Sequence, residues 1–477
     1  MDAQAMAKIP RALHGLQLKV EPRLRSRYCQ LTMSHLSHAH RVAAGLRLPA
    51  SLKRPFAATQ AAWRFYNNPR LTLEELADPL LQCAREDVPE LCDRWMLVAM
   101  DWCNLHLNDH DSKADRIELA NSSDLGYELL SALAISDRSG AAIAPLCLEM
   151  RAADGVHSTR LAKPFAAISV LDSLEPVMRH VQQQKLPRTP VFIIDAEADS
   201  VGHYRRWDAE GFRFLIRADA QRLVLYEGKQ QRLEEVARGL LAAGRLLRTI
   251  EVEFKGTPAV QYVAQTTVVL HRPARMHRVD AKTGKAKHKQ VVGVALPLRL
   301  IVSEIRDREG KLLSRWLLLS NLAEEVAAAT IALWYYWRWR IESYHKLLKG
   351  AGQEVECWQQ ETARAMARRL LVAAMAGVVV WRLARDQSAE GEEMREVLVR
   401  LSGRQMKRGK GARPFTEPAL LAGLGVLVPM LSLLSKYSVE KLRELTEAVI
   451  PGLLRASLAE PGRPTNAPQA GSNKRVV

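Results

Sequence analysis

The sequence has few cysteines, and none of them form a pair at metal-binding spacing. Among 477 residues there are six cysteines, without a CxxC pair. Zinc ribbons and disulfide frameworks both need closely placed cysteines, so this scatter argues against both kinds of site and fits a reducing compartment. The six are Cys29, Cys83, Cys92, Cys103, Cys147 and Cys357.

The sequence also lacks a long uninterrupted apolar segment. Its first ten residues, MDAQAMAKIP, have no apolar core of the kind that a signal peptide needs. The apolar run at 370–381 is short, and the one at 419–434 is interrupted by Gly423, Gly425 and Pro429. Since a membrane-spanning helix needs about 20 apolar residues, we expect a soluble protein that has no membrane partner.

Acidic residues are scarce near the start of the chain. Residues 1–70 contain twelve Lys or Arg but only two acids, Asp2 and Glu21. The whole chain has 69 basic and 52 acidic residues, a formal net charge of +17. Such a charge favours a polyanionic partner, either nucleic acid or an anionic membrane. Helical patterns in this region predict a compact basic module, and a merely solvated charged face is the alternative.

Short β-rich runs alternate with helical patterns from about residue 72 onward. RWMLVAMD, AIAPLCLEM, PVFIIDAEAD and FRFLIRAD predict strands, and AAISVLDSLEPVMRHVQQQ predicts a helix. Residues 221–322 instead contain successive strands joined by polar turns, and the basic loop HRPARMHRVDAKTGKAKHKQ lies among them. We therefore expect an α/β fold in which a mixed sheet flanked by helices is interrupted by an antiparallel β insertion, with helical N- and C-terminal domains.

Two acidic residues directly follow predicted buried strands. Asp101 comes after WMLVAM, and Asp195 comes after VFII. Ligands of open α/β sheets gather at the carboxyl ends of strands, so both carboxylates could face one crevice. The alternative for each residue is a helix cap or a turn.

The segment YYWRWRIESYHKLLK predicts one helix with two stripes. Its apolar stripe consists of Trp337, Ile341, Tyr344 and Leu348. Its second stripe consists of Tyr335, Arg338, Glu342 and Lys349, which lie within about 60° of one another and span about 21 Å. An extended polyanion could contact this length, with Glu342 at the reacting centre and the other three on successive phosphates. The alternative is a solvent-exposed edge whose Arg and Glu pair contributes about 0.2–0.5 kcal/mol.

Two aspartates and one glutamate form a set of oxygen ligands. Hard cations such as Mg²⁺ or Mn²⁺ prefer such ligands. Two ions about 3.5–4 Å apart can activate a water or hydroxyl and stabilise the leaving oxygen of a phosphoryl transfer. We therefore predict that Asp101, Asp195 and Glu342 are catalytic residues that ligate two Mg²⁺ or Mn²⁺ ions.

Together these motifs resemble the Asp-Asp-Glu transposases of the IS-four family, in particular the Tn-five subgroup. MDW at Asp101, IIDAEAD at Asp195 and the Tyr-(2)-Arg-(3)-Glu-(6)-Lys spacing carry the resemblance, which extends from about Pro22 to about Arg385. It implies a ribonuclease-H-like core with a β insertion and a synapsed homodimer on double-stranded DNA. It further implies excision at terminal inverted repeats through a hairpin intermediate and joining to a target, inside a bacterial cytoplasm at the nucleoid.

The resemblance also implies roles for residues outside the three acids. Trp316 would stack on a base flipped from the DNA end, Arg217 would bind DNA near the active site, and Arg27 and Arg64 would belong to the end-recognition domain. Tyr335, Arg338 and Lys349 would likewise bind DNA. The residues expected to orient the ligating carboxylates are Glu197, Asp199, His345 and Lys346.

Six segments are expected along the chain. They are a helical, basic DNA-end-binding domain at 1–70, the first part of the catalytic core at 71–220, the β insertion at 221–322, the second part of the core with the Glu helix at 323–386, a helical C-terminal domain for possible dimerisation at 387–458, and a disordered tail at 459–477.

Departures from the family pattern leave two other functions open. Trp102 and Cys103 follow the first aspartate where the family has small hydroxyl residues, and Ala196 stands where it has Arg. These changes are the reason to consider an inactive DNA-binding derivative that occupies or inhibits transposon ends. A structure-selective nuclease is the third possibility, but it leaves the basic module and the β insertion without a purpose.

Overall fold

The computed structural model describes residues 20–37, 55–121, 123–279, 286–404 and 415–450, with the backbone alone at 55–58, 275–279 and 286–289. The helices are α1 (Pro22–Leu36), α2 (Pro55–Tyr66), α3 (Leu73–Leu91), α4 (Leu174–Gln183), α5 (Val201–Ala209), α6 (Leu233–Ala242), α7 (Ala328–Trp337), α8 (Trp339–Leu348), α9 (Ala363–Arg385), α10 (Ala389–Leu401), α11 (Glu417–Leu434) and α12 (Val439–Val449). The strands are β1 (Trp95–His106), β2 (Ile117–Glu118), β3 (Leu125–Ser136), β4 (Ala142–Ala152), β5 (Gly155–Ser158), β6 (Thr189–Ile194), β7 (Arg213–Arg217), β8 (Leu223–Tyr226), β9 (Lys229–Arg232), β10 (Leu247–Phe254), β11 (Thr257–Leu270), β12 (Ala274–Val279), β13 (Ala286–Val291), β14 (Leu296–Asp307) and β15 (Leu312–Ser320).

One large mixed sheet organises the described part of the chain. Its strand order is β5-β4-β3-β1-β6-β7-β15-β14-β11-β8-β9, with β10 paired to β11 and β2 to β3. Strand β1 is antiparallel to β3 and parallel to β6, and β6 is parallel to β7. Helices pack against this sheet, so the expected α/β fold with a mixed sheet flanked by helices is confirmed.

The strands predicted as an insertion continue this same sheet. β15 pairs antiparallel with β7, and β14 and β11 follow on its far side. The joining register aligns Leu318 with Arg217 and Ser320 with Leu215. The antiparallel prediction for these strands agrees with the structure, and hydrogen bonds between β7 and β15 connect them to the first strands.

The central strands are buried on both faces, which explains their continuous apolar sequences. Residues 96–100 of β1 and 191–194 of β6 are fully enclosed. Helix α9, which begins at the cap Thr362, packs against β4, α3 and α1. Because these strands pair within the core, the sheet sets the backbone positions of the residues at their ends.

Two predicted helices differ from the structure. The helix predicted from residue 166 begins only at Leu174, because Ser169 and Asp172 hydrogen-bond each other in a preceding turn that competes with helix. The single helix predicted from Tyr335 to Lys349 is divided at Arg338 into α7 and α8.

The N-terminal helices are attached to the core by buried polar side chains. Arg368 of α9 donates to the carbonyl oxygens of Tyr66, at 2.8 Å, and Leu71, at 3.0 Å. His35 of α1 lies 2.6 Å from the Gln353 side chain, measured from Nδ1 to Oε1. Because Gln353 follows the C-terminal end of α8, the first helices and the end of α8 share one buried contact.

The C-terminal helices leave apolar side chains exposed. Helix α11 is continuous through Gly423, Gly425 and Pro429, so these residues do not interrupt it. By length and composition alone it could cross a membrane, and 28% of it is buried. It packs on α10, α9 and α1, and a core helix of a soluble protein meets the same criterion, so this is weak evidence for a membrane.

Several expectations concern residues outside the described ranges. The disordered tail predicted at 459–477 lies there entirely, and so does the middle of the basic loop, residues 280–285. The flanks of that loop form the hairpin β12–β13, whose backbone pairs from Ala274 with Val291 to Val279 with Ala286.

Candidate active site

The two predicted aspartates lie side by side at one edge of the parallel strands. β1 and β6 pair in register from Trp95 with Thr189 to Met100 with Ile194. Asp101 and Asp195 directly follow Met100 and Ile194, the last of these pairs. Since neighbouring strands are about 4.8 Å apart, this register alone brings the two carboxylates to the same place.

Asp101 does not end its strand as the sequence predicted. β1 continues to His106 because its antiparallel partner β3 still pairs with it, and Ser131 lies opposite Asp101. Only the parallel pairing ends at this point. Asp195 does leave its strand, and its carboxylate accepts a hydrogen bond from the Ala196 N–H at the start of a short 3₁₀ turn.

Glu342 reaches the same edge from α8, which packs on β1 and β3. The turn before it is tightened, because the Arg338 N–H donates to the Tyr335 carbonyl at 3.1 Å and the Ile341 N–H to the Arg338 carbonyl at 3.0 Å. Arg338 keeps helical torsions, φ −50° and ψ −32°. The predicted Tyr, Arg and Glu face therefore continues across the break.

The Arg338 guanidinium lies among all three acids. Its Nη1 is 2.8 Å from Asp101 Oδ2, and its Nη2 is 3.1 Å from Asp195 Oδ2 and 3.5 Å from Glu342 Oε1. The side chain is 6% exposed. Three carboxylates distant in sequence thus surround one buried cation.

Burial and charge act together on these groups. Burial raises the pKa of the Asp101 carboxyl to about 6, with the Glu342 carboxylate adding to the rise and the Arg338 guanidinium opposing it. A second guanidinium, that of Arg217, lies 2.7 Å from Asp195 through its Nη2. Asp195 is consequently held between two arginines, one buried and one 40% exposed.

His345 lies beside the acids, one turn after Glu342. Possible ligand atoms of Asp101, Glu342 and His345 are within 4.8 Å of one another. Burial and the positive charges of Lys349 and Arg338 lower the pKa of His345 to about 3, so its imidazole is neutral. Its Nε2 is 3.2 Å from the Ser131 hydroxyl. The sequence predicted that His345 orients the ligating carboxylates. The structure places one of its ring nitrogens close enough to be a possible metal ligand itself.

The basic and aromatic residues predicted to contact phosphates already have partners in the protein. Tyr335 is 3% exposed, and burial raises its pKa to about 12. Lys349 Nζ is 3.0 Å from Glu356 Oε1 and also donates to the Asn104 carbonyl. The expected open row of phosphate contacts is therefore not exposed in this structure, because a buried cation requires an anionic partner. The phosphate contacts themselves stay predictions.

Trp316, predicted to stack on a flipped base, is buried. It is 6% exposed, with ring centroids 5.2 Å from Tyr335 and 6.3 Å from Phe254. A base could stack on it only after one of these rings moved. The aromatic side chain that is exposed beside the acids is Trp339, at 41%, whose ring lies 5.8 Å from the Arg338 guanidinium carbon. Its position one turn before Glu342 was visible in the sequence.

The other residues expected to orient the ligating carboxylates differ in their exposure. Glu197 and Lys346 are exposed. The side chain of Asp199 is 3% exposed and lies 3.0 Å from the Arg222 guanidinium, and it accepts from the Asp219 N–H at 2.8 Å. It therefore holds the segment that follows Arg217.

The two arginines of the predicted end-recognition domain lie on the first helices. Arg27, on α1, is partly buried, and burial lowers its pKa. Arg64, in the last turn of α2, is exposed. Arg64 is therefore the more accessible of the two for a phosphate.

Trp102 does not crowd the acids. Side chains of a strand alternate between faces, so Trp102 points away from Asp101 and lines a small cleft with Leu130 and Phe165 on the other face. Cys103 shares the face of Asp101, and burial raises its pKa to about 11, so it stays a neutral thiol. The departure at Trp102 therefore places no indole ring beside the acids.

Comparison with known proteins identifies the family. The family described as "Transposase DDE domain" matches residues 133–376, about half of the chain. The chain belongs to this family. The DDE transposases are DNA transposases, enzymes that cleave and transfer DNA strands. Asp195 and Glu342 lie inside the matched residues, and Asp101 lies before them.

Other comparisons add little to this assignment. None of the curated proteins matches the chain. A solved structure, the synaptic complex of piggyBac transposase with hairpin DNA, aligns with 98% of this chain and 74% of its own, at 10% identity and a TM-score of 0.33. At that score the alignment does not establish a shared fold.

Proposed function

We propose that this DDE transposase belongs to the IS-four family, Tn-five subgroup, and carries out cut-and-paste transposition of an insertion sequence. The observation that carries the proposal is the gathering of Asp101, Asp195 and Glu342 around the Arg338 guanidinium. The family match supports the transposase part, and the Tyr, Arg, Glu and Lys spacing supports the subgroup.

The proposed core is ribonuclease-H-like. Its support is the order β4-β3-β1-β6-β7, in which three antiparallel strands are followed by two that run parallel to β1. The segment boundaries given above, with DNA-end binding at 1–70 and dimerisation at 387–458, remain part of the proposal. So does a cytoplasmic, nucleoid-associated location in a bacterium.

The donor set fits divalent cations. Three carboxylates offer hard oxygen ligands, and the guanidinium among them shows that the space between them favours a positive charge. Asp101, Asp195 and Glu342 would hold two Mg²⁺ or Mn²⁺ ions. When bound, such ions activate an attacking water or hydroxyl and stabilise the leaving oxygen of a phosphodiester.

The other residues would position the DNA. Arg217, Tyr335, Arg338 and Lys349 surround the acids and would bind phosphates of the cleaved strand. Hydrolysis at a terminal inverted repeat would free a 3′ hydroxyl, whose attack on the opposite strand would give a hairpin end. A homodimer would hold two such ends together before joining them to target DNA.

A cleavage assay with purified protein tests this function. The DNA flanking the coding region supplies the candidate inverted repeats, which are labelled and incubated with the protein and Mg²⁺ or Mn²⁺. We expect nicks at the repeat ends followed by hairpin products. Binding without any nicking would instead favour the inactive derivative, which the alterations at Cys103 and Ala196 keep open.

Replacing the exposed Arg64 by Ala is expected to weaken DNA binding without affecting the fold. A phosphate contact contributes about one unit to the slope of log affinity against log salt, so the slope should fall by about 1. The measurement is binding to the end duplex at several salt concentrations. Arg179→Ala is the matched control, because Arg179 is ion-paired with Glu175 and Glu210. An unchanged slope in Arg64→Ala would remove this residue from the DNA interface.

A further inference from the structure

Three cations near the acids, Arg338, Arg217 and Lys349, are each ion-paired within the protein. Arg338 contacts the three carboxylates, Arg217 contacts Asp195, and Lys349 contacts Glu356. These are the cations expected to bind DNA phosphates. The protein without DNA thus uses them to neutralise its own carboxylates.

Arg338 lies among the oxygens that a divalent ion would bind. Its nitrogens lie 2.8–3.5 Å from one oxygen of each acid, whereas Mg²⁺ binds carboxylate oxygens at about 2.0–2.1 Å. A guanidinium among these oxygens competes with a cation for their lone pairs and repels it through its own positive charge. Metal ligation is therefore opposed as long as the side chain lies there.

The contacts of Arg338 are incomplete where it lies. Its Nε is buried and has no acceptor among the residues that the structure describes. A buried donor without a partner is destabilising, so this arrangement does not satisfy every donor of the guanidinium. A phosphate can bind two guanidinium N–H groups at once, which makes it a strong competitor for the side chain.

We propose that Arg338 is an internal counter-ion that holds the metal site closed in the DNA-free protein, and that a DNA phosphate draws it away so that metal and DNA bind together. The proposal rests on the proposed function, because it assumes that the three acids ligate metal. Since coupling between two binding sites is reciprocal, metal should also tighten DNA binding. The protein would thereby be loaded for cleavage only when a DNA strand is present.

Titration of the full-length protein with Mn²⁺, followed by the electron paramagnetic resonance of the free ion, tests the proposal. Without DNA, Arg338→Met is expected to bind Mn²⁺ about 5- to 150-fold more tightly than the wild type, the usual range for coupled sites. A short duplex from the flanking DNA should raise the Mn²⁺ affinity of the wild type and leave that of Arg338→Met nearly unchanged. Duplex alone, and Glu342→Gln with duplex, give the background from ions on the DNA.

Two further variants distinguish the loss of the Arg338 contacts from the mere loss of a positive charge. Arg340→Met removes an equal charge from the same helix, where the Arg340 Nε donates to the Gly140 carbonyl at 2.7 Å, and it should bind Mn²⁺ like the wild type. Arg338→Lys keeps the positive charge, so its Mn²⁺ affinity without DNA should stay as weak as that of the wild type. If circular dichroism shows that Arg338→Met is unfolded, the counter-ion role is tested by the wild-type titrations alone, with and without duplex.

The outcomes are distinct. Equal Mn²⁺ affinity of the wild type and a folded Arg338→Met, or no effect of duplex on the wild type, overturns the counter-ion role. If the wild type nevertheless cleaves DNA with Mn²⁺, the proposed function stands. Absence of Mn²⁺ binding above background in every protein, with and without duplex, contradicts the proposed function as well.

Discussion

Replacing Glu342 by Gln is expected to abolish strand cleavage while leaving DNA binding in metal-free buffer nearly intact. The amide keeps the shape of the side chain but cannot supply a negatively charged oxygen ligand. Mutating outer partners of a metal site typically costs about 10- to 100-fold, so loss of a direct ligand should exceed about 100-fold. The same is expected of Asp101→Asn and Asp195→Asn.

The measurement is single-turnover cleavage of the labelled end duplex, with binding followed by fluorescence anisotropy in metal-free buffer. Glu325→Gln serves as the control, because Glu325 is an exposed acid before α7. If Glu342→Gln cleaves DNA at a rate within about tenfold of the wild type, the assignment of this residue as a metal ligand is wrong. Loss of binding and cleavage together would indicate a damaged fold.

Replacing Phe192 by Ala is expected to lower the free energy of unfolding by about 3–5 kcal/mol. Phe192 is fully buried in β6, and its ring lies edge-on to Phe212 with centroids 5.7 Å apart. Removing the ring leaves a cavity in the layer that supports Asp195, three residues further along. The loss should therefore reduce both stability and the fraction of protein with an assembled site.

Urea denaturation followed by tryptophan fluorescence measures this loss. Phe192→Leu fills most of the same volume and should cost less than about 1.5 kcal/mol. Equal stability of the Ala and Leu variants would contradict the packing seen around β6. A Phe192→Ala protein as stable as the wild type would mean that the core relaxes to fill the space.

The positions of the three acids could be predicted because they depend on short patterns. Asp101 and Asp195 each follow an apolar run, and the register of β1 with β6 then brings them together. Glu342 lies on a helix with a clear apolar stripe. What the pattern did not predict is that β1 extends past Asp101, since that extension depends on the distant partner β3.

The partners of long side chains were much harder to predict. Arg338 and Lys349 were expected to lie open to phosphates, yet their contacts with Asp101 and with the Asn104 carbonyl join residues far apart in the chain. The sequence around Trp316 was compatible with either an exposed or a buried side chain. The side chain is buried because Tyr335 and Phe254 pack against it. Such side-chain contacts depend on how the helices and strands pack against one another.

The amino-acid sequence by itself determined the alternation of strands and helices, the excess of positive charge, and the chemical type and order of the three acids, because hydrophobic period and charge are local properties. Only the tertiary structure decided that one guanidinium lies among Asp101, Asp195 and Glu342 and that the β insertion continues the central sheet. Strand register, burial and the pairing of buried charges join residues hundreds of positions apart, and no local pattern specifies those distances.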